Sequence, residues 1–128
     1  MEIVGIGSDV VECLRIGRMI EQHGELFLAR IYTEREVLLC QGRRRSIEHF
    51  AARWAAKEAV MRALGALWRR GLEWTDIEVR EGPDGVPQVH LGGAVRELAE
   101  QRGVSNIHLT LAYCRAYATA TALAVRGP

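Results

Sequence analysis

Alternation of side chains dominates both ends of the chain, and helical spacing dominates the middle. In "EIVGIGSDVVE", residues 2–12, Ile3, Gly5, Gly7, Asp9 and Val11 share one face of an extended strand. The spacing predicts a helix over "ECLRIGRMIEQHG", closing at Gly24, and a short helical segment over "ELFLARIY". Thr33 followed three residues later by Glu36 is a capping box for "TEREVLLCQG". Ser46 is expected to cap a long helix over 47–64 that ends at Gly65. On a wheel at about 100° per residue, Ile47, Phe50, Trp54 and Met61 fall on one side, and Glu58 falls among them. "DIEVREGPDGVPQVHL" reads as strand, turn, strand, and "GAVRELAEQRG" as an amphipathic helix stopped by Gly103. In the closing stretch Ile107, Leu109 and Leu111 alternate with His108, Thr110 and Ala112. Ala118, Ala120, Ala122 and Ala124 alternate with Thr119, Thr121 and Leu123. This predicts a hairpin turning near 113–115, with an alanine-rich helix over 116–125 as the competing reading. The order of elements predicts an α+β fold in which an antiparallel sheet packs against a long helix.

Composition narrows the class. At 128 residues and 48% hydrophobic, the chain has the size and apolar content of one domain over 1–128, with no need of disulfide staples. A net charge of +1 gives no global field toward nucleic acid. The balance is uneven: residues 1–70 carry 12 Arg+Lys against 9 Asp+Glu, and residues 71–128 carry 5 against 7. An acidic partner is therefore expected on the first half. Cys13, Cys40 and Cys114 are widely spaced and odd in number, which predicts free thiols in a reduced, cytoplasmic chain. No run is long and apolar enough to span a membrane, and "MEIVGIGSDVVE" lacks the basic start of a signal peptide.

Two acids stand in apolar settings. A buried carboxylate without a partner is costly, so Glu58 needs Arg62 one turn on, a group from another element, or a metal ion. Asp9 follows two residues without side chains on its own face, which leaves room for a helix, a backbone or a ligand. Two carboxylates from separate elements suit a hard cation such as Mg²⁺, which takes one or two carboxylates and binds substrate phosphates. The alternative is an intrahelical Glu58–Arg62 pair. Lys57 is the lone lysine beside 16 arginines, in keeping with a chain biased toward arginine.

"GIGSDVVECLRI" and "FAARWAAKEAVMRALG" together resemble the two signature segments of the holo-acyl-carrier-protein synthases. These are the small, single-domain branch of the 4′-phosphopantetheinyl transferases. The likeness continues through "FLARIYTEREV", "WTDIEV", "DGVPQVHLGGAV" and "YATATALAV", and so covers nearly the whole chain in order. The resemblance implies transfer of 4′-phosphopantetheine from coenzyme A to a serine of an acyl carrier protein, with Mg²⁺ on the pyrophosphate and adenosine 3′,5′-bisphosphate released. It implies Asp9 and Glu58 as metal ligands and, together with Arg62, as catalytic residues. Arg53, Lys57, Gly65, Pro87, Thr110 and Tyr113 match positions near the coenzyme. Arg15, Arg18 and Met19 match the helix that meets the carrier protein. A homotrimer with sites between subunits is also implied.

Three departures stand close to the implied phosphates. Arg62 replaces a common lysine associated with the leaving phosphate, Ala66-Leu67 replaces Thr-Gly, and "TLAYC" replaces a Ser-x-Ser-His pattern. Arginine keeps the charge but not the geometry of lysine. These changes set an active transferase with a retuned pocket against a member that binds coenzyme or carrier protein without turnover.

Overall fold

The computed structural model describes residues 1–127. Strand β1 (Glu2–Glu12) leads into α1 (Cys13–His23), α2 (Glu25–Ile31), α3 (Glu34–Gln41) and the long α4 (Ser46–Ala63). A 3-10 turn at Trp74–Asp76 precedes the hairpin β2 (Ile77–Glu81) and β3 (Pro87–Leu91). Then come α5 (Gly93–Gln101), β4 (Asn106–Tyr113) and β5 (Tyr117–Arg126). The strands make an antiparallel sheet in the order β1-β5-β4 and a separate β2-β3 ribbon. This is the expected α+β architecture, and the alanine-rich helix over 116–125 is excluded.

Three local expectations change. The bulge between Ile3 and Gly5 breaks the alternation, so Ile3 leaves the inner face while Gly7 and Val11 stay on it. Ser46 is the first helical residue rather than the cap; Arg45 precedes it and makes no capping side-chain bond. Helix α4 has no single apolar side: Phe50, Ala51, Ala52, Ala55, Ala56, Ala59, Val60, Met61 and Ala63 are all buried around it. It is a central helix, apolar on nearly every face because it is enclosed on nearly every face. The Thr33–Glu36 box does form at α3, but Glu36 is itself buried and has a larger role.

The glycines of β1 admit α4. A Cβ on Gly5 would stand 2.1 Å from the carbonyl oxygen of Ala63, and one on Gly7 would stand 2.1 Å from that of Ala59. Of the helix, backbone and ligand that the sequence left open, the structure places a helix there. Ala118, Ala120, Ala122 and Ala124 continue this small-residue floor across β5 and are buried within the chain. The helix α4 of the same chain covers them. The opposite face of the sheet is the open one, with Ile6 63% and Val10 61% exposed.

On the other flank of α4, Lys57 and Glu36 form an ion pair of 2.8 Å with both side chains at 0% exposure. The Lys57 ammonium also donates to the Trp74 carbonyl at 3.1 Å and the Ile77 carbonyl at 2.6 Å. Glu36 accepts from the backbone N–H groups of Thr33 and Val79, both at 2.9 Å. Every donor of the ammonium has an acceptor, so the pair joins α3, α4, the 3-10 turn and β2 without an orphaned charge. Burial pushes the Lys57 ammonium below its ordinary range, and Glu36 opposes that shift.

Candidate active site

The close fit of α4 on β1 decides which side chains meet. β1 pairs only with β5 and is an edge of its sheet. Asp9 lies opposite Ala120 in that register and points toward α4. Glu58 and Arg62, one turn apart on α4, reach the same place. Arg62 Nη1 donates to Asp9 Oδ1 at 2.7 Å and to the Ser8 carbonyl at 2.6 Å. Its Nη2 lies 3.7 Å from Glu58 Oε2. The side chains of Asp9 and Glu58 are 13% and 22% exposed, and that of Arg62 is 52% exposed.

Glu58 has a second partner. The indole Nε1–H of Trp68 donates to Glu58 Oε1. Trp68 stacks on Trp74 with ring centroids 4.3 Å apart, and Trp74 stacks on Trp54 at 4.4 Å. A carboxylate is tolerated in the apolar seam because an indole N–H and a guanidinium both reach it. The intrahelical pair and the link to a second element are thus both present.

The donor set is two carboxylates beside the Ser8 carbonyl, all oxygen. That chemistry fits Mg²⁺, which is held by one or two carboxylates and completes its shell with water and phosphate. Among the described residues no group of three His, Cys, Asp or Glu side chains could hold a metal. A softer, nitrogen- or sulfur-ligated ion has no cage there.

The remaining expected residues divide. Lys57 follows the wrong flank for a coenzyme contact: its ammonium is sealed and all its donors are engaged, so this expectation is corrected. Arg53 is buried at 3% exposure, and its Nε–H is the one buried side-chain polar atom without a partner among the described residues. Gly65 ends α4 with φ +68°, the left-handed turn that glycine adopts without strain. Pro87 begins β3. Thr110 lies on the open face of β4, whereas Tyr113 points the other way and meets His49 of α4, Oη to Nε2 3.3 Å. Ala112 shares the open face with Thr110, so Ala112 and Tyr113 do not line one pocket within a chain. Arg15 and Arg18 are exposed on α1, with Met19 half-buried beside them.

One grouping escaped the sequence. Arg44 and Arg45 before α4, with Ser46 at its start, join Arg115 from the β4–β5 turn around a groove of about 570 Å³. "GRRR" was legible as a basic loop, but Arg115 lies 70 positions away and only the fold brings it there.

A central helix on an edge strand, with paired carboxylates and an arginine groove, defines an α+β scaffold suited to a divalent cation and a phosphorylated ligand. Residues 5–122 match the model of the 4′-phosphopantetheinyl transferase superfamily. A holo-[acyl-carrier-protein] synthase of Rhodopirellula baltica is 46% identical over 120 residues, covering 94% of this chain and 95% of that one. The crystal structure of a Neisseria meningitidis holo-[acyl-carrier-protein] synthase superposes with a TM-score of 0.89 at 30% identity, covering 97% of this chain and 99% of that one. A Bacillus anthracis synthase solved in complex with CoA (3′,5′-ADP) gives 0.81 at 30% identity, over 99% and 100% of the two chains. The chain belongs to the 4′-phosphopantetheinyl transferase superfamily, in its holo-[acyl-carrier-protein] synthase branch.

Proposed function

We propose that this chain transfers 4′-phosphopantetheine from coenzyme A to a serine hydroxyl of an apo acyl carrier protein, releasing adenosine 3′,5′-bisphosphate. The observation that carries the reading is the meeting of Asp9, Glu58 and Arg62 where α4 crosses β1, in a chain of this family. In the transfer, the serine oxygen forms a bond to the β-phosphorus of coenzyme A while the bond to the bridging oxygen breaks. The electron pair leaves with adenosine 3′,5′-bisphosphate. Asp9 and Glu58 would hold Mg²⁺, which when bound draws charge off the pyrophosphate oxygens and orients them. Trp68 keeps Glu58 Oε1 fixed, so Oε2 presents one constant direction. The serine proton passes to a carboxylate of the pair or to water that it holds. Arg62, half in solvent, is placed to face the leaving phosphate. Phosphoryl transfer depends chiefly on such positioning and charge.

The basic groove of Arg44, Arg45 and Arg115 offers charge to the coenzyme phosphates. Arg15, Arg18 and Met19 on α1, next to the exposed Leu14, give an acidic helical carrier protein charge with an apolar contact. Ile6, Val10 and their neighbours on the open sheet face support a homotrimer. No helix among the described residues is long and apolar enough to cross a membrane. The free cysteines accord with a reducing cytoplasm.

The test is incubation of the purified chain with Mg²⁺, coenzyme A and apo acyl carrier protein, followed by mass spectrometry of the carrier. Addition of one phosphopantetheine, lost with EDTA, is the expected result. Coenzyme binding by calorimetry with no mass gain on the carrier would instead make the chain a binding protein. Arg15→Glu should raise KM for the carrier far more than for coenzyme A, with the effect shrinking in high salt. Equal changes in both would remove α1 as the docking helix.

A further inference from the structure

Arg62 already occupies the space between the two acids. Its Nη1 takes up Asp9 Oδ1 and the Ser8 carbonyl, at 2.7 and 2.6 Å, and its Nη2 faces Glu58 Oε2 at 3.7 Å. A cation approaching these three oxygens from solvent has to contend with the guanidinium, which is 52% exposed and already in contact with them. We propose that Arg62 is a displaceable internal cation of the Asp9–Glu58 site: it neutralises the acids when no divalent ion is present and must leave them when one binds. It thereby sets the affinity of the site for the free ion. This rests on the reading that Asp9 and Glu58 hold a divalent cation.

Three features favour displacement over permanent pairing. First, Arg62 is 52% exposed, in contrast to the sealed Lys57 on the adjoining flank. Ion pairs open to water are weak, so the guanidinium can be exchanged at small cost. Second, Arg62 is the last full turn of α4, on a long unbranched stem, so the head can swing into solvent without moving the backbone. Third, the acids do not depend on Arg62 for their place. Asp9 is fixed by the β1–β5 register, and Glu58 Oε1 is held by the Trp68 indole, whose ring is stacked on Trp74. When Arg62 leaves, two oriented carboxylates remain. A divalent ion brings twice the charge of the guanidinium and satisfies both at once.

The side-chain type matters. A guanidinium reaches both acids with separate nitrogens, whereas an ammonium is one compact point of charge. Arg62→Lys keeps the charge but loses the second prong, and Arg62→Ala removes the competitor altogether.

The experiment is titration with Mn²⁺ alone, without coenzyme, following the free-ion electron paramagnetic resonance signal. Arg62→Ala should bind Mn²⁺ about 2- to 5-fold more tightly than the natural chain, the range expected from removing weak, solvent-open ion pairing. Arg62→Lys should fall between them. In parallel, the ¹⁵Nε–H resonance of Arg62 should shift when diamagnetic Mg²⁺ is added to the natural chain, and Asp9→Asn should abolish that shift. Unchanged or weaker Mn²⁺ binding in both Arg62 variants, with binding retained in the natural chain, would overturn the competitor role and leave the metal site standing. Absence of Mn²⁺ binding in the natural chain and in both Arg62 variants would remove the metal reading itself, and this inference with it.

Discussion

Lys57 and Glu58 are neighbours in sequence and point to adjoining flanks of α4, where they belong to two very different charge clusters. On the closed flank, one cation and one anion lie at 0% exposure, with every ammonium donor answered by a carboxylate or carbonyl. On the open flank, one guanidinium is shared by two carboxylates, at 2.7 and 3.7 Å, and half of it faces water. The closed cluster has one arrangement and no room for another. The open one carries more acid than base and can rearrange. The lesson is that a conspicuous charge in a motif has to be followed to its partners before it is assigned a role. Lys57 lies beside Glu58 in the sequence, yet its ammonium is sealed among acceptors, whereas the Glu58 carboxylate lies beside a guanidinium open to water.

The comparison breaks first at the closed cluster. Lys57→Met leaves Glu36 buried and unpaired, which should cost about 3–5 kcal/mol of stability in chemical denaturation. A loss below 1 kcal/mol would mean that Glu36 gains water or a proton easily, and the flank is not closed. Next in size is the open cluster. Asp9→Asn or Glu58→Gln should lower transfer to the carrier at least about 100-fold while leaving the thermal midpoint nearly unchanged, since the exposed pair contributes little to folding. A variant that unfolds would put the open cluster in the same class as the closed one. Gly7→Ala links the two flanks. Its Cβ would meet the Ala59 carbonyl at 2.1 Å, so α4 must lift from β1. The expected loss is about 1–3 kcal/mol, with activity falling further than stability as Asp9 and Glu58 separate.

The smallest effect concerns pH. His49, against Tyr113, titrates below its ordinary 6.5, first because of burial and then because of Arg53 and Arg43; Glu81 and Glu48 pull the other way. A histidine lowered in this way contributes stability above pH 6.5, and that contribution is lost as pH falls through its folded value. Denaturation midpoints measured from pH 7.5 down to 5 should decline, and His49→Gln should flatten part of that slope. An identical slope in both proteins would assign the acid sensitivity to the carboxylates instead.

What the sequence made legible was local. Alternation marked β1, β4 and β5, and the capping box at Thr33 marked the start of α3. Asp9 and Glu58 stood out because each is an acid in an apolar setting, a property readable within a few residues. Lys57 could not be read this way, since its environment is built from Glu36, Trp74 and Ile77, each about 20 positions distant. The wheel for α4 failed for a related reason: a helix enclosed by a sheet, two other helices and a ribbon has no polar side to reveal its orientation. The bulge at the start of β1 turned Ile3 outward with no glycine or proline at its own position to announce it. The bond of Trp68 to Glu58 depends on a loop whose course no periodicity describes.

The pairing of β1 with β5 alone has a consequence for the order of events during synthesis. Asp9 is made before α4 with Glu58 and Arg62. The strand that holds β1 in register, however, is residues 117–126, with Asp9 set opposite Ala120. Contacts so distant along the chain form late and slowly, after most of the loop-closure entropy has been lost. On the ribosome, therefore, the two acids exist long before they have a common geometry. A nascent chain arrested near residue 110 should bind neither divalent ion nor coenzyme, and the emergence of β5 acts as the step that switches the site on.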